Sequence, residues 1–268
     1  MRTPALRFTQ LTLALLALTL PAALLRAQSV DDAPGAPDAR LQAILNRAAV
    51  AAAALQSSLP SFACKENVRS QEYEKKKLRR HAEFNADIRV QRRPDGSLTE
   101  TFQPEDWTVL LKQSESGIPF YVSGGFQSAM EYFVAGKAVC YRFSLPSPQR
   151  IDFSGDPAAR SNPLCDREEG LTGFALLDTN GDVIHIERRV SEENSRRTSM
   201  VPFAAIDLAP VELNGRVYRL STHLSADTTH GKLFGHFEAD YSSCRLFGAT
   251  VTILPSIQPI QQAPPPRE

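Results

Sequence analysis

Five histidines, four cysteines and thirty acidic residues are the groups from which this chain could build a reactive centre. The histidines are His81, His185, His223, His230 and His236, and they raise a metal test first. His236, Glu238 and Asp240 alternate along one expected strand and so share a face, a ligand row if His223 or His230 lies on the neighbouring strand. The wet face of an ordinary strand gives the same alternation, and the His-Glu-x-x-His spacing that would put two ligands on one helical face is absent. A serine nucleophile would need a Gly-x-Ser-x-Gly elbow or its like, and none exists. Gly124-Gly125 has no phosphate-binding pattern around it. Nothing singles out a pair of carboxylates for glycoside cleavage, and Glu187 reads as a wet-face residue in a cross-strand ion pair. The expectation is a protein without catalytic residues, metal or cofactor, with a metal-dependent enzyme as the third of three readings.

Cys64, Cys140, Cys165 and Cys244 lack the Cys-x-x-Cys spacing of zinc sites, so they read as disulfides rather than metal ligands or a thiol nucleophile. Four cysteines allow three pairings. Cys140–Cys165 is favoured, because it would tie down the proline-rich loop between them. That leaves Cys64–Cys244, joining the first strand to the last. Disulfides imply an oxidising compartment, and the N-terminus agrees. Arg2 and Arg7 precede an apolar run from Leu11 to Leu25, broken by Pro21, and Leu25-Arg26-Ala27 offers a cleavage site before Gln28. Residues 1–27 therefore read as a signal peptide, too short and interrupted for a membrane span. No cysteine follows the cleavage site to carry a lipid anchor. The chain is expected to be periplasmic or secreted.

Cleavage removes three of the 30 basic residues and leaves 27 against 30 acidic ones, a net charge of −3. A nucleic-acid partner is disfavoured on that balance. No later apolar run is long enough to cross a bilayer, so the mature chain has no transmembrane segment.

The elements that would position these residues follow from periodicity. Residues 28–37 form a disordered leader, 38–254 a single α+β domain and 255–268 a disordered proline-rich tail. Asp38 to Leu59 repeats Leu41, Ile44, Leu45, Ala48, Ala51, Ala52, Leu55 and Leu59 at helical spacing, with Asp38 as N-cap and Pro60 as the stop. Strands are expected at Phe62–Tyr73 and Leu78–Gln91, around the basic run Glu74-Lys75-Lys76-Lys77. That run reads as a solvated hairpin tip or as a contact for an anionic lipid or cell wall. Trp107–Lys112 reads as a strand, Gly124–Val134 as a short helix, and Val139–Leu145 as a strand before an irregular Pro146–Asp166.

Gly170–Val190 reads as a β-hairpin turning at Asn180-Gly181, with Ile184 and Ile186 on its inner face. Glu192–Ser199 reads as a polar connector and Phe203–Val211 as a weaker strand. A second Asn-Gly turn, Asn214-Gly215, leads into Val217–Leu224. Leu233–Tyr241 and Arg245–Leu254 close the sheet.

Certain stretches carry a resemblance. They are Leu-Pro-Ser-Phe-x-Cys-x-Glu at Leu59–Glu66, Gly124-Gly125-Phe126, Cys140-Tyr141-Arg142-Phe143 and Gly173–Asp178. To these add Ile184–Arg188, Val211–Arg216 and Tyr241–Gly248. Together they resemble a family of exported bacterial proteins of the acidobacterial type, itself without a known function. More distantly the succession of elements is similar to the LolA/LolB lipoprotein-carrier fold. That resemblance implies an open antiparallel half-barrel, covered by helices, that holds acyl chains in an apolar cavity. The expected architecture is therefore α+β: a curved antiparallel sheet, LolA-like, with an N-terminal amphipathic helix and a short helix packed on it.

The function expected is an exported non-enzymatic binding protein that carries a lipid, a lipoprotein or another apolar ligand in the concave face. The residues expected to line that cavity are Phe126, Met130, Phe133, Phe174, Leu176, Ile184 and Ile186. The alternative is a structural or protein-interaction component of the envelope with a fully packed core.

Overall fold

A computed structural model describes residues 39–105, 119–165, 168–198 and 200–247. The expected signal peptide, leader and Asp38 cap, the Trp107–Lys112 strand, and the closing segment beyond Phe247 with its proline-rich tail lie outside the described residues.

Ten strands make one antiparallel sheet, curved and unclosed. They are β1 (Phe62–Glu74), β2 (Lys77–Arg92), β3 (Leu98–Pro104), β4 (Tyr141–Ser147), β5 (Arg150–Gly155), β6 (Leu171–Leu177), β7 (Val183–Val190), β8 (Phe203–Leu213), β9 (Arg216–His230) and β10 (Leu233–Leu246). The spatial order is β3-β2-β1-β10-β9-β8-β7-β6-β5-β4. Every neighbour is therefore a chain neighbour except β1 and β10, which meet two strands in from the β3 edge. The Cys64–Cys244 disulfide crosses that pairing, spanning 180 residues of chain. Cys140–Cys165 ties the start of β4 to the loop before β6. Both are the pairings favoured from the sequence.

This order puts β3 and β4 at opposite edges, and of the chain between them the described residues 119–140 cross the concave face. The described part of that crossover, Pro119–Cys140, contains a 3-10 turn at Glu131–Phe133 and a single-turn helix α2 (Ala135–Ala138). Over it lies α1 (Ala39–Ser58), with Ala48, Ala52 and Leu55 buried at i, i+4, i+7. Small side chains at these positions let the helix approach closely. At its C-terminus Arg92 of β2 donates to the carbonyls of Leu55 (2.9 Å), Gln56 and Leu59 (2.8 Å), satisfying acceptors that the helix leaves unpaired. Inside, strand alternation decides burial. On β2, Ala82, Phe84, Ala86, Ile88 and Val90 point inward, while His81, Glu83 and Asn85 are exposed. The crossover adds aromatic contacts: Phe126 meets Phe62 edge-to-face at 5.2 Å and Tyr241 at 4.7 Å.

Several expectations are corrected. The short helix at Gly124–Val134 is mostly turns, entered at Gly124 with φ 93. Glu192–Thr198 forms a helix, α3, in place of a polar connector, with Glu192 and Glu193 in its first turn and Arg196 and Arg197 in its last. The irregular Pro146–Asp166 contains β5, and β3 follows the Pro94-Asp95-Gly96 turn where no strand is expected. The Asn180-Gly181 turn is a five-residue loop closed by Asp178, whose carboxylate accepts from the amides of Asn180 (2.9 Å) and Asp182 (3.0 Å). The tight two-residue turn is at Asn214-Gly215, where both φ values are positive (54 and 71).

The expectation that Phe174, Leu176, Ile184 and Ile186 share the inner face is also corrected. Leu176 pairs with His185 but Leu177 pairs with Val183, so Ile184 is the extra residue of a β-bulge. The bulge restores Val183 and Ile186 to the inside beside Ala175 and Leu177. Phe174 and Leu176 lie on the outer face, where the Arg150 guanidinium sits 4.1 Å from the Phe174 ring centroid.

Candidate functional site

The polar residues buried on the concave face mostly hold the crossover. Ser70 of β1 donates to the carbonyl of Phe120 (2.7 Å) and accepts from its amide (3.2 Å). Ser221 of β9 donates to the carbonyl of Gly125 (2.6 Å). Glu100 of β3 accepts from the amides of Gly124 (2.7 Å), Phe126 (2.9 Å) and Gln127 (2.8 Å). Burial raises the Glu100 carboxyl despite those amide donors. Glu66 of β1 is only 1% exposed and accepts from the Tyr121 hydroxyl at 3.0 and 3.1 Å. Burial pushes Glu66 from near 4.5 up to about 7, opposed by hydrogen bonds from Tyr121 and Tyr241 and reinforced by the Glu100 charge.

A second buried carboxylate, Glu168, accepts from Tyr141 (2.6 Å) and Lys137 (2.9 Å) and ties α2 to the start of β4. These acids are structural clasps. Glu168 also borders a polar cleft beside Cys165.

Beneath the crossover the concave face is filled by the chain itself. Phe126, Met130, Phe133 and Ile186 are buried in one continuous core. The void bordered by Ile186, Ile206, Leu224 and Arg188 is only about 50 Å³. A larger apolar space opens at the rim, between α1 and the ends of β7 and β9. Its volume is 280 Å³, and Ala48, Ala51, Leu55, Met130, Val183 and Tyr218 line it. Of the residues expected to line a ligand cavity, the structure brings Met130 to this space and Ile186 to the small void. Phe126 and Phe133 stay in the core, Ile184 is half-buried, and Phe174 and Leu176 face outward.

Two arginines stand at the mouth of the rim cavity. Arg219 is neutralised by Asp178 (2.6 Å) and Asp182 (2.9 Å) of the β6–β7 loop. Arg47 of α1 is exposed, faces Gly181, and has no carboxylate partner among the described residues. The sequence reasoning did not pick out Arg47. Its only signal is a cation one residue before the small face of α1. A polar cleft of 320 Å³ beside Cys165 is slightly larger, and in it Glu169 contacts Arg160 and lies 3.7 Å from Arg197.

His185, His223 and His236 lie on the outer face and pair with carboxylates, across strands and, for Glu238, along β10. His236 meets Asp227 (2.7 Å) and Glu238 (3.4 Å), His223 meets Asp240 (2.7 Å), and His185 meets Asp207 (2.6 Å). Arg69 also holds Glu238 at 2.9 Å. Among the described residues no three such side chains converge on one metal position.

The described residues form an α+β fold, an unclosed antiparallel sheet with a helix and a crossover laid in its concavity. The chain is similar to several solved structures, two of which follow. A DUF1329 family protein from Desulfovibrio piger matches at TM-score 0.39 and 10% identity, covering 77% of this chain and 93% of that one. A LolA superfamily protein from Nitrosomonas europaea matches at TM-score 0.33 and 11% identity, covering 78% and 94%. No family model and no curated protein matches the chain.

Proposed function

We propose that this chain is an exported, non-catalytic binding protein that takes the apolar chain of an amphiphile between α1 and the rim of the sheet. The observation that carries this reading is the apolar 280 Å³ cavity under α1, close to the lower limit of a small-molecule site. The cover over it is α1, whose fully buried face is Ala48, Ala52 and Leu55, with Leu41, Ile44, Leu45 and Ala51 half-buried against the core. Arg47 at the mouth suits an anionic head group left in water while the chain enters the cavity. Two disulfides fit an oxidising compartment and hence export.

A second reading, favoured by the filled interior, is an envelope protein that binds partners through its surface and holds no ligand. Native mass spectrometry of protein purified from a lipid-containing extract separates the two. The binding reading expects an adduct of defined lipid mass that organic extraction removes. A chain that stays ligand-free, and remains so after incubation with a long-chain fatty acid, contradicts it and supports the second reading.

A further inference from the structure

Two hairpin tips lie side by side at one end of the sheet. Glu74, the last residue of β1, pairs with Lys77 of β2 and with Leu233 of β10, and Leu233 pairs in turn with His230 of β9. The turns at Lys75-Lys76 and Gly231-Lys232 are therefore neighbours. Just behind them, Leu78, Tyr73 and Phe234 stand in register on the outer face, with the Tyr73 and Phe234 rings 6.2 Å apart. Leu78 is 50% exposed and Phe234 40%. Apolar side chains of that size are usually withdrawn from water, and here they form a row.

The charges around this row are arranged selectively. Arg79 is held by Glu74 at 3.3 Å and Arg80 by Glu72 at 2.8 Å. Lys75, Lys76, Lys77 and Lys232 are all exposed, and none has a carboxylate partner among the described residues. The backbone points the same way. Lys75 (φ 50) and Lys76 (φ 67) both occupy the left-handed region of a two-residue turn, where asparagine and glycine fit and side chains such as lysine are disfavoured. A lysine pair kept in a conformation that opposes it indicates selection for what the side chains do. The mature chain is expected to be slightly acidic, so the lysine cluster is a local exception to its overall charge.

We infer that this end of the sheet docks on an anionic lipid bilayer, the four lysines meeting phosphate groups while Leu78 and Phe234 enter the head-group layer. Lysines flanking exposed aromatic and aliphatic side chains are the arrangement that such an interface selects. The inference is independent of the rim cavity. Val217 and Tyr218 border that cavity at one end of β9, and His230 ends the strand at the tips. The mouth under α1 thus stays open to solvent when the tips are docked.

The test is co-sedimentation of the exported chain, begun at Gln28, with phosphatidylcholine vesicles, with or without a quarter of phosphatidylglycerol. The inference expects binding to the anionic vesicles alone, weakened by salt, and a loss of about fivefold for each lysine replaced. The double variant Lys75→Asn, Lys76→Gly should bind about 25-fold more weakly. Its turn suits the backbone better, so thermal unfolding should show it folded and no less stable. Phe234→Ser with the lysines intact should also weaken binding. Equal partitioning onto neutral and anionic vesicles, or a folded double variant that binds as the parent does, overturns the inference. So does salt-sensitive capture by a soluble polyanion such as heparin without any vesicle binding.

Discussion

Glu66 occupies an inward position between Cys64 and Val68, where alternation along β1 calls for an apolar residue. Its carboxyl is raised from near 4.5 to about 7 chiefly by burial, so the folded state prefers the protonated form. A raised acid is most favourable to folding below its unfolded value and loses that advantage as pH rises to the folded value. Stability should therefore fall between about pH 4.5 and 7 and then level off, by about 3 kcal/mol in all from this group. Glu66→Gln keeps the shape and an acceptor for Tyr121 but cannot ionise. Urea unfolding of the variant should lack this slope and exceed the parent's stability at pH 8. A variant that keeps the parent's slope would show that Glu66 is not its source. Glu66 is also the clearest case of a site residue legible in the sequence yet missed: a lone acid breaking an apolar parity is visible there. What the sequence withholds is the partner, because Tyr121 comes from a crossover 55 residues away.

Among the elements, α1 depends on a residue outside itself. Arg92 donates to three carbonyls at the end of the helix, bonds that would otherwise go to water. Arg92→Met keeps the aliphatic stem and removes those donors, and should cost about 2 kcal/mol, read as a lower thermal midpoint. The turn at Lys75-Lys76 should respond in the opposite sense. Asparagine and glycine there relieve two left-handed side-chain residues, a gain of about 1–2 kcal/mol in the midpoint of denaturant unfolding. Long strands with clean alternation, such as β2, were legible because one face is wet. The β6–β7 hairpin was misjudged because apolar residues stand on both of its faces. Phe174 and Leu176 compete with Ala175 and Leu177, and only the bulge at Ile184 decides which set turns inward. β3 went unseen because its inward residues include Glu100, whose place among amide donors only the crossover explains.

At the scale of the whole molecule, the sheet is assembled by bringing β1 to β10, the pairing that spans most of the chain. A bridge between Cys64 and Cys244 restricts the unfolded chain most, by about 5 kcal/mol in the entropic limit, against about 3 kcal/mol for Cys140–Cys165. Replacing both cysteines of the first pair by alanine should accordingly lower unfolding stability more than replacing both of the second. Equal losses would mean that local packing outweighs chain entropy. Both pairings followed from the sequence, because the proline-rich loop between Cys140 and Cys165 favoured one bridge and left Cys64 and Cys244 for the other. Whether the concavity is open or filled was not readable from it, since that depends on where the crossover lies.

The proposed function requires that an apolar chain enter under α1. Ala54 lines the rim cavity and Ala53 faces solvent on the same helix, so tryptophan at each tests the space directly. The measurement is titration of a fluorescent fatty acid into the parent, Ala54→Trp and Ala53→Trp. Saturable binding by the parent and Ala53→Trp, lost in a folded Ala54→Trp, is the predicted result. Binding unchanged by Ala54→Trp, or no saturable binding by the parent, would contradict the claim.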